Sequence, residues 1–221
     1  MREKIIQTIE ENRIIAILRG YGQEALFHIA EALLQGGVRC MEITYDAKGK
    51  ISDEQIAEQI GQLHQRFGTE MAVGAGTVLT KEQVRLTREA GGEYIISPNT
   101  DPEIIAETVA QGLVSIPGAM TPTECVTAWN AGADFVKLFP TSSLGAGYVK
   151  AITAPLSHIK FLAVGGVSPE NIAEFVNAGV IGIGVGSDLF PKAAIGRGEY
   201  SEVTCRAKKF MAALDRAFEE N

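Results

Sequence analysis

Glycine punctuates this chain at a rhythm that few folds can accommodate. Gly36-Gly37, Gly68, Gly91-Gly92, Gly112, Gly132 and Gly179 each stand just before a short apolar run. Their spacings are 32, 23, 21, 20 and 47 residues, the last being two units with one cap missing. Glycine ends a helix in the left-handed conformation without a Cβ penalty. The apolar runs Arg13–Leu18, Val38–Thr44, Met71–Gly76, Tyr94–Ser97, Leu113–Pro117, Asp134–Phe139, Lys160–Val164 and Val180–Gly186 read as eight strands. Segments of helical length lie between them, such as Glu24–Gln35, Asp53–Phe67, Glu82–Ala90 and Pro169–Ala178. Ser52, Thr80, Thr121 and Ser168 stand where a hydroxyl caps free backbone N–H groups. Gln55, Gln83 and Glu124 sit at the reciprocal position, and Pro122 and Pro169 where a missing N–H costs nothing.

A βα unit repeated at this length forces parallel strands, and eight such units close into a ring. The pattern predicts an α/β fold, a (β/α)8 TIM barrel formed by one domain over residues 1–221. Met1–Glu11 adds an extra N-terminal helix below the barrel, and Ser201–Phe218 is the last outer helix. An open doubly wound sheet is the alternative. It calls for a Gly-rich dinucleotide loop after the first strand, and Arg19-Gly20-Tyr21-Gly22 is not one.

Composition narrows the function classes. The chain is 46% hydrophobic and 21% charged, an ordinary globular balance that excludes a disordered tail. A net charge of −7 without basic clusters argues against nucleic acid or an anionic membrane surface as partner. Cys40, Cys125 and Cys205 are far apart and odd in number, which disfavours a disulfide framework or thiolate zinc site and fits a reducing cytoplasm. Met1–Glu11 is too charged for a signal peptide, and no stretch approaches the roughly 20 apolar residues of a membrane helix. His28, His64 and His158 lack metal-ligand spacing, so neither a metal nor another cofactor is expected. Trp129 and the helix leucines read as core.

Charges inside strands are the exception that points to chemistry, because strands covered on both faces should be apolar. In Asp134–Pro140 the alternation puts Lys137 on one face with Phe135 and Phe139. In Cys40–Thr44 it puts Glu42 with Cys40 and Thr44, while Met41 and Ile43 face the helices. The second and sixth strands of an eight-membered ring are opposite, so Lys137 and Glu42 can face one another across the mouth. A lysine short of water becomes a neutral amine that can attack a ketone, and a nearby carboxylate can move the protons. A buried ion pair that fixes the barrel is the other reading.

Other residues fall at the same rim, the C-terminal ends of the strands where such barrels work. Arg19 ends the first strand, where a guanidinium can hold a carboxylate in two parallel bonds. Thr77 follows Val73-Gly-Ala-Gly as a small donor beside bare backbone, and Pro98 shapes the edge after the fourth strand. Gly165 and Gly166 follow the seventh strand, Gly186 and Ser187 the eighth. Glycines in those two loops let N–H groups approach a phosphate, or make tight turns. Asp188 would repel phosphate and reads as a cap or a solvent-facing residue.

Gly36-Gly-Val-Arg-Cys-Met-Glu-Ile-Thr44, Val73-Gly-Ala-Gly-Thr-Val78, Phe135-Val-Lys-Leu-Phe-Pro140 and Gly165-Gly166 together resemble the class I 2-dehydro-3-deoxy-phosphogluconate / 4-hydroxy-2-oxoglutarate aldolases. The likeness covers residues 10–190 or so, in register with the strands. It implies a homotrimer that cleaves 2-keto-3-deoxy-6-phosphogluconate to pyruvate and glyceraldehyde 3-phosphate, and extends to 4-hydroxy-2-oxoglutarate. Lys137 would be the Schiff-base lysine and Glu42 the general acid/base. Thr77, Phe139 and Pro98 would line the pyruvyl site, and Gly165, Gly166, Gly186 and Ser187 the phosphate site. Many members carry an arginine where this chain has Asp46, and others carry one at the end of the first strand, which Arg19 matches. Val164 replaces a frequent threonine before the glycine pair. The rival readings are another phosphate-handling barrel enzyme, an isomerase or a thiamin-phosphate-synthase-like transferase, and a non-catalytic sugar-phosphate sensor.

Overall fold

The computed structural model describes residues 2–220; Met1 and Asn221, the outermost residues of the predicted N-terminal helix and domain, lie outside them. Helix α1 (Arg2–Asn12) leads into β1 (Ile14–Leu18), α2 (Gln23–Gln35), β2 (Cys40–Thr44), α3 (Asp53–Phe67) and β3 (Ala72–Gly76). Then follow α4 (Lys81–Glu89), β4 (Tyr94–Ile96), α5 (Pro102–Ala110), β5 (Val114–Ile116), β6 (Gly118–Ala119) and α6 (Pro122–Asn130). The last third holds β7 (Val136–Leu138), α7 (Thr141–Thr153), β8 (Phe161–Val164), α8 (Ile172–Asn177), β9 (Gly182–Val185), α9 (Lys192–Gly196) and α10 (Ser201–Glu219).

All paired strands are parallel, in the order β5-β4-β3-β2-β1-β9-β8-β7-β6. The predicted fifth strand is present in two pieces, β5 and β6, and runs on to Ala119. Pro117 has no N–H to give the ladder, so the strand breaks there. The wall is nevertheless continuous: Phe135 N donates to Ser115 O, Lys137 N to Pro117 O and Phe139 N to Ala119 O, at 3.3, 2.9 and 3.1 Å. The result is a β/α barrel with a helix at its N-terminal end.

Two apolar layers follow from the alternation of side chains along each strand. Met41, Ile43, Val73, Val136 and Leu138 point outward into the helices. Ile15, Cys40, Ala72, Tyr94, Val114, Phe135 and Leu162 point inward and meet Ile5 and Ile9 of α1, which closes the N-terminal end. Each large side chain removed from water in this way contributes about 1.5–3 kcal/mol before entropy is counted.

Local signals are realised where side chains decide them. Ser52–Gln55, Thr80–Gln83 and Thr121–Glu124 each form both bonds of the capping box. Ser168 does not cap: its own N–H donates to Asn171 Oδ1 at 2.8 Å, residues 168–171 form a turn, and α8 starts at Ile172. Pro169 accordingly lies outside the helix. Gly37, Gly91, Gly112, Gly132 and Gly179 have φ between +86° and +101° or, for Gly112, +74°. Gly68 does not, continuing the helix at φ −62°. Trp129 is not core: it is 36% exposed and packs edge-on against His158.

Candidate active site

The inner wall at the C-terminal end of the barrel holds the two charged side chains. Lys137, central in β7, is 8% exposed, and Glu42, central in β2, is 1% exposed. The two line one small cavity with Ile17, Ile96, Ile116 and Val164. Lys137 Nζ sits 4.7 Å from the centroid of the Phe139 ring. Among the described residues, no carboxylate oxygen lies within 4 Å of that nitrogen, so the two groups share a cavity without forming a contact ion pair.

Their environments push the protonation equilibria toward neutrality from both sides. Burial lowers the Lys137 ammonium from its ordinary 10.5, opposed by the charge of Glu42 and assisted by that of Arg19. Burial raises the Glu42 carboxyl from 4.5 to about 7, opposed by Lys137 and Arg19. An amine whose charged form is disfavoured and an acid poised near neutral pH therefore face the same space, the combination that carbonyl addition and proton transfer require.

Room for the carboxylate comes from β3. Gly76 is paired in register with Thr44, and a Cβ at Gly76 would overlap Glu42 Oε1. Gly74, paired with Glu42 itself, leaves space that the Tyr94 ring fills. Alternation of glycine along Val73–Gly76 leaves two bare positions on the inner face, whose use depends on the neighbouring strands and is not carried by the sequence pattern that marks Thr77. Tyr94 was likewise read only as a strand residue.

Arg19 and Thr77 are brought together at the rim: Arg19 Nη2 donates to Thr77 Oγ1 at 3.1 Å. Among the described residues, no carboxylate lies within 4 Å of the guanidinium. Thr77 holds φ +57°, a left-handed conformation that a β-branched residue adopts at a cost of about 1–3 kcal/mol. Such strain is kept where geometry matters. Asp46 cannot take the role of an arginine; it folds its own loop, accepting from Lys48 N, Lys50 N and Ile51 N at 3.0, 2.8 and 3.3 Å. Those bonds hold its carboxyl below the ordinary range.

Pro98 is half-buried against β6, the strand next to that of Lys137. Its carbonyl occupies the space a Cβ at Gly118 would need, and Gly118 is the register partner of Lys137. The two glycine loops lie next to one another, after β8 and β9. Gly165 and Gly166 have φ +100° and +72°. Their carbonyls accept from Thr141 Oγ1 (2.7 Å) and Asn171 Nδ2 (2.9 Å). Among the described residues, none of the N–H groups of Gly165, Gly166, Gly186 and Ser187 donates to another part of the chain. Gly186 and Ser187 line a pocket at the mouth with Arg19, Tyr21 and Lys192. Asp188 is exposed and turned toward a separate groove beside Arg206 and Lys209.

Among the described residues, no group of three or more His, Cys, Asp or Glu side chains lies together as a metal site would need. His28 stacks on Tyr200, and His158 meets Trp129 edge-to-face.

A β/α barrel with a desolvated amine and acid at its C-terminal rim is the architecture of a barrel enzyme. The model of the aldolase family described as KDPG and KHG aldolase matches residues 5–205, and the chain belongs to that family. It is 41% identical over 179 residues to the 2-dehydro-3-deoxy-6-phosphogalactonate aldolase of Escherichia coli, covering 80% of this chain and 84% of that one. It is 32% identical over 207 residues to the 2-dehydro-3-deoxy-phosphogluconate aldolase of Treponema pallidum, covering 93% and 95%. Among solved structures, the KDPG aldolase of Legionella pneumophila, with pyruvate captured as a covalent carbinolamine, superimposes at a TM-score of 0.82 with 26% identity, covering 92% of this chain and 96% of that one. The protein is thus an aldolase, a carbon–carbon lyase acting on small keto-acid substrates, and the isomerase, transferase and sensor readings find no support in these matches.

Proposed function

We propose that this aldolase works through a Schiff base on Lys137 and cleaves a six-carbon 2-keto-3-deoxy-6-phospho sugar acid to pyruvate and glyceraldehyde 3-phosphate. The observation that carries the reading is the buried, unpaired Lys137 amine opening on the same cavity as the buried Glu42 carboxyl. The neutral amine adds to the C2 ketone, and the carbinolamine loses water to an iminium. Glu42 as carboxylate, directly or through a water, takes the proton of the C4 hydroxyl. The C3–C4 electron pair moves into the iminium to leave an enamine, and the aldehyde phosphate departs. Glu42, now the acid, returns its proton to C3, and water releases pyruvate and the amine. The iminium itself accepts the electrons, so this route requires no metal ion.

Arg19 and Thr77 hold the substrate carboxylate, with Pro98 and Phe139 walling the pyruvyl site. Gly165, Gly166, Gly186 and Ser187 hold the phosphate. Arg19→Ala is expected to lower kcat/KM about 10–100-fold, mainly through KM, because a charge-assisted contact is worth roughly 1.5–3 kcal/mol. Steady-state kinetics with the phosphorylated substrate checks this; an unchanged KM would assign the carboxylate elsewhere.

The gluco and galacto acids differ at C4 and give the same two products. The 41% identity to a phosphogalactonate aldolase, against 32% to a phosphogluconate aldolase, puts the galacto epimer first. A coupled pyruvate-release assay across both C4 epimers, with and without the phosphate, and with 4-hydroxy-2-oxoglutarate, tests the reading. Pyruvate should appear fastest from a phosphorylated epimer; pyruvate from none of them would overturn it. A homotrimeric state fits the exposed Leu79, Met120, Val126 and Trp129, which a partner copy would cover, and the free cysteines fit a cytoplasmic setting.

A further inference from the structure

Among the described residues, three buried polar atoms on the inner wall, Glu42 Oε2, Thr44 Oγ1 and Tyr94 Oη, have no hydrogen-bond partner. All three belong to residues at most 2% exposed. Glu42 on β2 is paired in register with Gly74 on β3, and Ala75 with Ile95 on β4, so Tyr94 follows Glu42 across the wall with one bare position between them. Ring carbons of Tyr94 fill that bare position, where a Cβ at Gly74 would overlap them. The Tyr94 ring therefore lies over β3, the strand next to that of the glutamate. Glu42 Oε2 is an acceptor without a donor, and Tyr94 Oη and Thr44 Oγ1 belong to hydroxyls whose protons have no acceptor.

Resting on the assignment of Glu42 as the acid/base, we propose that Tyr94 is a positioning residue for it. The phenol donates a hydrogen bond to the carboxylate, directly or through one buried water, and so sets the pH at which Glu42 ionises. Neither group is left bare in a desolvated wall when the bond is made. Burial holds the phenol protonated well above its ordinary range, reinforced by Cys40, Glu42 and Glu93, so it remains a donor at every working pH.

The groups facing Glu42 are known from each wall: Lys137 from β7 and Arg19 from the end of β1 as cations, Cys40 on its own strand, and Tyr94 from β4. Glu93 lies at the base of β4, its Oε2 taken by Val73 N at 3.1 Å. The Cys40 thiol is a weak donor and the Thr44 hydroxyl stands on the glutamate's own strand; Tyr94 is the hydroxyl donor offered from another strand.

A filler role and a positioning role predict opposite results for Tyr94→Phe. A phenol without a partner costs stability, so its removal would raise Tm and leave kinetics alone. A phenol bonded to the carboxylate favours the charged form, so its removal raises the Glu42 pKa. The expected result is an acidic limb of kcat/KM shifted up by about one pH unit, an approximately tenfold loss below that limb, and a plateau within about twofold of the parent. Coincident pH profiles, with or without a higher Tm, overturn the proposal.

Should the phenylalanine variant fail to fold, 3-fluorotyrosine in place of the chain's five tyrosines carries the test. Its more acidic phenol donates more strongly and should move the limb down, and an unmoved limb again overturns the proposal. Borohydride trapping with pyruvate in the same preparations separates the two levels of inference. No adduct in the parent removes the Schiff-base mechanism and this inference with it. Adducts in both proteins with coincident profiles remove only the role of Tyr94.

Discussion

Lys137→Ala is expected to remove turnover while leaving a folded protein. The amine is both the nucleophile and the origin of the electron sink, and among the described residues no second lysine lines the cavity, so kcat should fall by about four orders of magnitude or more. Lys137→Arg makes the sharper comparison. It retains the positive charge but not a nitrogen that can lose its proton, and should be equally inactive. Stability moves the other way. Because burial depresses the ammonium pKa, the native state binds fewer protons than the unfolded one below 10.5, and folding pays for that at neutral pH. Thermal melts at pH 7 should therefore show the alanine variant no less stable than the parent. A variant that folds and still releases pyruvate at more than about one-hundredth of the parent rate would move the chemistry away from this nitrogen.

Glu42→Gln carries the second large effect. The amide keeps the shape over Gly76 but can neither take the C4 hydroxyl proton nor return one to C3. Loss of a general acid/base costs about 10²–10⁴ in rate. Parent kcat/KM for cleavage should rise with pH as Glu42 ionises, through about 7. The glutamine variant should lose that rise. Removing the carboxylate also removes the charge that holds the Lys137 pKa up, so the amine stays neutral to lower pH. Schiff-base trapping should survive in this variant even though turnover does not. The stability sign is fixed by the same shift: a carboxyl raised from 4.5 to about 7 on folding costs stability that grows as pH rises through that window. Glu42→Gln should thus raise Tm more at pH 8 than at pH 4.5. A pH–rate profile unchanged by the substitution would remove Glu42 from proton transfer.

Much of this was readable in the chain because a few residues are chemically out of place. A lysine between phenylalanines and a glutamate between a cysteine and a threonine are anomalies in strands that should be apolar, and both point inward as their alternation required. Three capping boxes formed because a hydroxyl and an amide or carboxyl three residues apart satisfy each other locally. Elements set by contacts that the cap and glycine patterns do not encode were less legible. Ser168 is followed by a turn because Asn171 takes its N–H and also ties down Gly166, a contact that no local pattern announces. Gly68 needs no left-handed turn, and the fifth strand breaks at a proline that its neighbours bridge. Trp129 looked like core on composition, but α6 turns it outward.

In the site, side-chain identity was legible and spatial economy was not. Arg19 and Thr77 were named separately; their 3.1 Å contact and the left-handed backbone of Thr77 emerge only when β1 and β3 are brought side by side. The inward glycines of β3 and the phenol they accommodate escaped notice for the same reason. Their meaning lies in what occupies the space they leave.

The most direct test is to incubate the protein with pyruvate and sodium borohydride and map the product by peptide mass spectrometry. A single reduced pyruvyl adduct on the peptide containing Lys137, absent without borohydride, is the expected result. An unmodified chain, or an adduct on another lysine, would contradict it.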